Sequence, residues 1–196
     1  MLIALNILGV FIFMFIYWKK LKDEYSSEIV FSSVFTYILF LLIFLFVSYR
    51  TSFEYWFWFT FAALPATGLF LKLKRKMSLY ELLDAFAIAV IPWLVLLFTA
   101  EIIITGRVLN LVWAILFCLI AILYKYLESR YKLISWYKSG KIGFLGLVSV
   151  LVYFLFRGVA SLIGLDLVSV VKYDFILSFI LVIIVITLLI IRSSDK

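Results

Sequence analysis

The sequence contains no histidine and only one cysteine among its 196 residues. The lack of histidine excludes imidazole metal ligands and the serine–histidine and cysteine–histidine pairs of many hydrolases. The single cysteine, Cys118, lies inside an apolar run and has no second cysteine with which to form a disulfide. Neither of the glycine-rich nucleotide-binding fingerprints is present. We therefore predict neither a metal site nor an organic cofactor.

Charged residues are also scarce, at 15% of the chain, whereas 67% of the residues are hydrophobic. Soluble domains contain about 25% charged and about 45–50% apolar residues. A water-soluble fold of this length cannot hide so much apolar surface, so the composition predicts an integral membrane protein. The net charge is +7, but the cations lie between apolar runs and form no single surface. We therefore expect no nucleic-acid partner.

Apolar runs recur along the whole chain, and none shows the alternation of a membrane β-strand. A helix needs about 20 residues to cross the hydrocarbon core, and it satisfies its own backbone polar groups there. The sequence therefore predicts an all-α integral membrane fold of seven transmembrane helices, one domain spanning residues 1–196. The runs lie at about 2–18, 29–48, 56–71, 79–100, 108–124, 142–163 and 174–191.

Lysine and arginine are concentrated in alternate connections between these runs. One set of connections carries 14 of them and the other set only 3, while Arg157 lies inside the sixth run. Connections rich in lysine and arginine stay on the cytoplasmic side of a membrane. The pattern predicts a multi-pass protein of the cell membrane with its N-terminus outside and its C-terminus in the cytoplasm.

Charges within membrane segments are expensive and are candidates for function. Three lie in or beside the runs: Asp84, Glu101 and Arg157. At 1.5 Å per residue, Arg157 lies roughly 20 Å from the start of its run, in the outer leaflet, where a pair with Glu101 is geometrically possible. Tyr153 lies one turn before Arg157 on the same helix face. Three interpretations stay open for Arg157: snorkelling to headgroups, a buried ion pair that fixes packing, or a lipid-phosphate site shared with Tyr153.

The start of the fourth helix carries a second set of polar residues. Ser78 followed by Glu81 predicts a capping box. Asp84 lies near the first turn, where the dipole of its own helix is expected to stabilise its negative charge. The sixth run carries several small residues, among them Gly146 and Gly158. These residues either allow close helix packing, the commoner use, or leave room for an acyl chain.

Two stretches of the sequence carry short polar motifs. Residues 74–87, KRKMSLYELLDAFA, contain a basic turn followed by a Leu-Asp pair. Residues 140–157, GKIGFLGLVSVLVYFLFR, contain a glycine-rich entry and a Tyr-x-x-x-Arg element. The first stretch resembles the segment before the signature helix of the prolipoprotein diacylglyceryl transferase family, and the second resembles that family's late helix. Seven helices with the N-terminus outside also match the family.

The resemblance implies transfer of a diacylglyceryl group from phosphatidylglycerol to the cysteine of a prolipoprotein signal peptide. Tyr153 and Arg157 would then handle the lipid, and Glu101 is the candidate base because it is taken as the only outer-side acid near that depth. The chain departs from the family in lacking the His-Gly-Gly element, and residues 98–101 replace its Arg-x-Gly-Asn core. These departures favour the alternative hypothesis, a non-catalytic membrane protein on the same scaffold that binds a lipid or a partner.

Overall fold

A computed structural model describes residues 2–106, 108–130, 143–163, 171 and 173–194. Within these residues the regular structure is helical and there is no β-strand. Seven helices are long and apolar enough to cross a membrane, which confirms the predicted number and makes the chain a multi-pass membrane protein. The helices are α1 Leu2–Leu21, α2 Ser27–Thr51, α3 Trp56–Arg75, α4 Leu79–Thr105, α5 Leu109–Arg130, α6 Phe144–Leu162 and α7 Asp174–Ser194.

Several helices continue beyond the apolar runs from which they were predicted. Helix α4 reaches Thr105 and α5 reaches Arg130, several residues past the apolar stretches. Polar residues do not interrupt helical hydrogen bonding, which stops where the backbone leaves the helical region. Gly106 ends α4 in this way, with a left-handed φ of 66° that glycine adopts without strain. Glu101 consequently lies within the last turns of α4.

Helix α4 occupies the middle of the helix bundle. It packs against α1, α3, α5 and α6, while α2 packs mainly against α3, and α7 packs against α6. The α1–α4 contact is close, since a Cβ added at Gly9 would meet the ring of Trp93. This arrangement puts α4 and α6, which carry the residues singled out above, next to each other.

The two ends of the bundle differ in charge. At one end, Lys20 of α1 forms an ion pair of 2.7 Å with Glu128 of α5, and Arg75 of α3 donates to Ser32 of α2 at 3.1 Å. We call this the basic end, where α1, α3 and α5 end and α2, α4 and α6 begin. At the opposite end α3, α5 and α7 begin and α4 and α6 end. That the basic end faces the cytoplasm stays a prediction.

The predicted capping box at the start of α4 is wrong in its hydrogen bonds. Ser78 is the N-cap residue, but its side chain caps no backbone N–H. The hydroxyl of Tyr25, from the α1–α2 connection, accepts from the Ser78 N–H at 3.0 Å and donates to the Glu81 carboxylate. The Tyr25 hydroxyl thus bridges the Ser78 N–H and the Glu81 carboxylate. The local sequence does not predict this contact, because Tyr25 is distant from both residues along the chain.

Asp84 also acts on a different helix from the one predicted. Its carboxylate accepts the N–H of Gly143 at 2.7 Å and the N–H of Gly146 at 2.5 Å, so it caps the N-terminus of α6. A Cβ at Gly146 would lie 2.7 Å from the Asp84 Oδ1 and 2.9 Å from its backbone nitrogen. Glycine at this position therefore serves close packing of α6 on α4. Residues 140–142, part of the predicted glycine-rich entry, lie outside the described residues.

Candidate functional site

The buried charges of the opposite end form a single ion pair between Arg157 of α6 and Asp174 of α7. Both residues are almost completely buried, at 1% and 0% exposure. The Arg157 Nη2 donates to Asp174 Oδ1 at 2.9 Å, and Nε lies 2.9 Å from Oδ2. The carboxylate therefore lies along the Nε–Nη2 edge of the guanidinium, with one hydrogen bond to Oδ1 and one ionic contact with Oδ2.

A second donor reaches the same carboxylate from α3. The indole N–H of Trp58 donates to Asp174 Oδ1 at 2.7 Å. Trp58 lies in the first turn of α3, Asp174 begins α7, and Arg157 lies near the end of α6. The alternating direction of the helices brings these three positions to one depth. Asp174 also lies at the positive end of the α7 dipole, which favours its charge.

Aromatic rings surround the guanidinium. The Arg157 Cζ lies 3.8 Å from the centre of the Phe57 ring and 5.7 Å from that of Trp58, distances at which ring and cation attract each other. These rings belong to a larger group that bridges α3, α4, α5 and α6. We call it the ring cluster, and its members are Phe57, Trp58, Phe61, Phe98, Trp113, Phe117, Tyr153, Phe154 and Phe156.

The ring cluster contains both buried and partly exposed side chains. Phe154, Trp113 and Phe117 are buried. The members that remain partly exposed are Phe57, Trp58, Phe61, Phe98, Tyr153 and Phe156. The buried indole N–H of Trp113 has no hydrogen-bond partner. The cluster thus offers an aromatic surface beside a buried cation, with one donor left unsatisfied within it.

The structure brings Tyr153 and Arg157 together. Their side chains are hydrogen-bonded, as their spacing of one helical turn predicts. The Tyr153 ring stacks on Phe117 with centres 5.8 Å apart and lies 5.8 Å from the Trp113 ring. Tyr153 therefore links the ion pair to the part of the ring cluster that α5 contributes.

Glu101 does not join this group. Its Oε2 accepts from the Asn110 side chain at 3.0 Å, across the tight connection between α4 and α5. The pairing of Glu101 with Arg157 that helix depth allowed is wrong, because Asp174 occupies the guanidinium. The end of α4 lies against the start of α5, whereas the start of α7 lies against the end of α6. The three candidate residues accordingly form no single catalytic group around Glu101.

Asp174 is the functional candidate that the sequence interpretation missed. It lies at the first residue of the seventh apolar run, so it resembles an ordinary headgroup-facing acid. The sequence contained one signal that could have identified it. An arginine inside an apolar run requires a nearby acid, and Asp174 is an acid at the same end of the bundle as Arg157. Among the residues that the structure describes, no group of three or more Cys, Asp or Glu side chains is arranged to hold a metal ion.

Comparison with known proteins adds no assignment to this geometry. The chain matches no protein-family model, no curated protein and no solved structure. The resemblance to diacylglyceryl transferases therefore stays a prediction that rests on the two stretches quoted above. What stands without it is a multi-pass membrane protein, with seven membrane-spanning helices among the residues described above and a buried ion pair beside aromatic rings.

Proposed function

We propose that this protein binds a glycerolipid such as phosphatidylglycerol at the ring cluster and does not transfer its diacylglyceryl group. The observation that carries the proposal is the state of Arg157, whose guanidinium is occupied by Asp174. An arginine that is paired with Asp174 in this way is not available to bind the phosphate of a lipid substrate during diacylglyceryl transfer. The candidate base, Glu101, is bonded to Asn110 instead.

The partly exposed rings of the ring cluster support the lipid part of the proposal. Aromatic side chains that are only partly buried within a membrane face acyl chains or the glycerol region of lipids. Phe61 and Phe156 offer apolar contact, and Tyr153 and Trp58 carry polar groups beside it. We further propose that the basic end lies in the cytoplasm and that the protein resides in the cell membrane, so the ring cluster faces the outer leaflet.

Diacylglyceryl transfer to a prolipoprotein cysteine is the second candidate function. The proximity of Tyr153 and Arg157 favours it, since the resemblance assigns both residues to the lipid substrate. Transfer would require Asp174 to release Arg157, and it would require a base other than a Glu101 bound to Asn110. The geometry therefore supports binding better than transfer.

A transfer assay separates the two functions. The protein is reconstituted in phosphatidylglycerol vesicles with a peptide that carries a lipobox cysteine, and the peptide mass is measured. An established diacylglyceryl transferase in parallel vesicles shows that the assay works. We expect no diacylglyceryl mass increment with this protein. An increment that disappears in Arg157→Gln but persists in Arg50→Gln would overturn the proposal, because Arg50 is an exposed arginine at the same end of the bundle.

A further inference from the structure

The groups around Asp174 form a site for an anion that has two equivalent oxygens. Two N–H groups donate to its carboxylate, Arg157 Nη2 at 2.9 Å and Trp58 Nε1 at 2.7 Å, and the Arg157 Nε makes an ionic contact of 2.9 Å with its second oxygen. A phosphodiester presents two non-bridging oxygens in a similar way, and an arginine fork binds carboxylate and phosphate in the same geometry. The recognition chemistry of this site therefore fits either anion.

The donors of this site are held in place by contacts that do not involve Asp174. The Phe57 ring lies 3.8 Å from the Arg157 Cζ, and Tyr153 is hydrogen-bonded to the Arg157 side chain. Trp58 stacks on Phe154 with ring centres 5.9 Å apart. The donors come from α3 and α6, whereas the carboxylate comes from α7. The anion site and its occupant thus belong to different helices, and one can be altered without removing the other.

We propose that Asp174 is a built-in competitor, which occupies this anion site and excludes the phosphate group of a phospholipid from it. This inference rests on lipid binding at the ring cluster, as proposed above, and adds that the phosphate of the bound lipid is kept out of the anion site. A guanidinium buried to this degree needs an anion, because an uncompensated buried charge is strongly unfavourable. Asp174 supplies that anion within the chain. The bound lipid is then held through its glycerol and acyl parts, and its phosphate is not recognised.

Replacing the carboxylate by an amide tests the proposal. Asp174→Asn keeps the side-chain shape and an oxygen that accepts from Trp58, but it removes the carboxylate charge that faces Arg157. Native mass spectrometry measures the affinity for phosphatidylglycerol and for diacylglycerol with the same acyl chains, and free glycerol phosphate is a third ligand. Glu54→Gln is the matched control, because Glu54 is an exposed acid at the same end of the bundle.

We expect wild type and Glu54→Gln to bind phosphatidylglycerol and diacylglycerol with similar affinity. Asp174→Asn should bind phosphatidylglycerol about tenfold more tightly, with diacylglycerol unchanged and the gain lost in Arg157→Gln/Asp174→Asn. A gain for free glycerol phosphate as well would identify the phosphate alone as the ligand, and a gain confined to the lipid would show that the ring cluster contributes.

Two other results would overturn the competitor role in different ways. An unchanged ratio of phosphatidylglycerol to diacylglycerol affinity in Asp174→Asn would show that Asp174 excludes nothing, while lipid binding itself would stand. Binding of neither lipid by any variant would remove the proposed function. If Asp174→Asn does not fold, the indole N–H resonance of Trp58 is followed in the wild type. It should respond in the same way to saturating phosphatidylglycerol and diacylglycerol, because Asp174 keeps the phosphate away from the Trp58 N–H, and a shift with phosphatidylglycerol alone would contradict the inference.

Discussion

Removing one partner of the Arg157–Asp174 pair should destabilise the protein far more than removing both. Arg157→Met leaves a carboxylate with 0% exposure and the Trp58 donor, and Asp174→Leu leaves a guanidinium with 1% exposure that has lost the Asp174 carboxylate. Breaking a buried pair in this way costs about 3–5 kcal/mol of the free energy of unfolding. The double variant replaces both charges by apolar groups, so its main loss is the acceptor for the Trp58 N–H, about 1–3 kcal/mol.

Reversible unfolding in mixed lipid–detergent micelles measures these free energies for the wild type and the three variants. These costs give a coupling between the two sites of at least about 3 kcal/mol, the upper end for residues in contact. Single variants that each cost less than about 1 kcal/mol, with additive effects in the double variant, would refute the reasoning. Such a result would mean that Arg157 reaches headgroups or water and that the pair is not buried in the membrane.

Three further predictions concern the basic end. Gly146→Ala should cost about 1–3 kcal/mol in the same unfolding measurement, because its Cβ would meet the Asp84 backbone, whereas Gly158→Ala meets only a side-chain ring edge at 3.3 Å and should cost less. Asp84→Asn should cost about 1–2 kcal/mol and speed amide hydrogen exchange in the first turn of α6, since an amide oxygen caps more weakly than a carboxylate; unchanged exchange would contradict the cap. Burial, and then the hydrogen bond to Glu81, raise the pKa of Tyr25 above 10.0. The neutral phenol is favoured by the fold, so the stability it contributes is complete below the unfolded pKa and is lost as pH rises through the folded one. An ultraviolet titration should show a phenolate that forms above pH 10.0 and is missing in Tyr25→Phe, and ionisation of Tyr25 at its ordinary pKa would contradict this contact.

The number of helices was predictable because membrane insertion depends on the summed hydrophobicity of about 20 side chains in each segment. Seven apolar runs separated by charged connections have few other solutions, and the errors are confined to the ends. There the helices extend until a residue such as Gly106 changes the backbone conformation. The ends were under-predicted because an apolar run reports lipid contact, while a helix continues through polar residues.

The polar contacts were less predictable because they depend on how helices pack against each other. Arg157 was recognised as a costly charge, but only Glu101 was considered as its partner, and the packing of α7 on α6 brings Asp174 to it instead. The same reason explains Asp84, which was assigned to its own helix and in fact caps α6. Tyr25 was overlooked entirely, since nothing local marks it as a partner of Glu81.

Lipid retention by the ring cluster is the most direct test of the account. Native mass spectrometry of protein taken from phosphatidylglycerol bilayers compares wild type with Phe61→Ala, which removes a partly exposed ring of the cluster. Phe46→Ala is the control, because Phe46 is 60% exposed near the same end of the bundle and lies outside the ring cluster. Loss of a buried ring contact of about 1.5–3 kcal/mol predicts at least a roughly tenfold loss of retained lipid in Phe61→Ala alone. Equal retention in all three proteins would contradict a lipid site at the ring cluster.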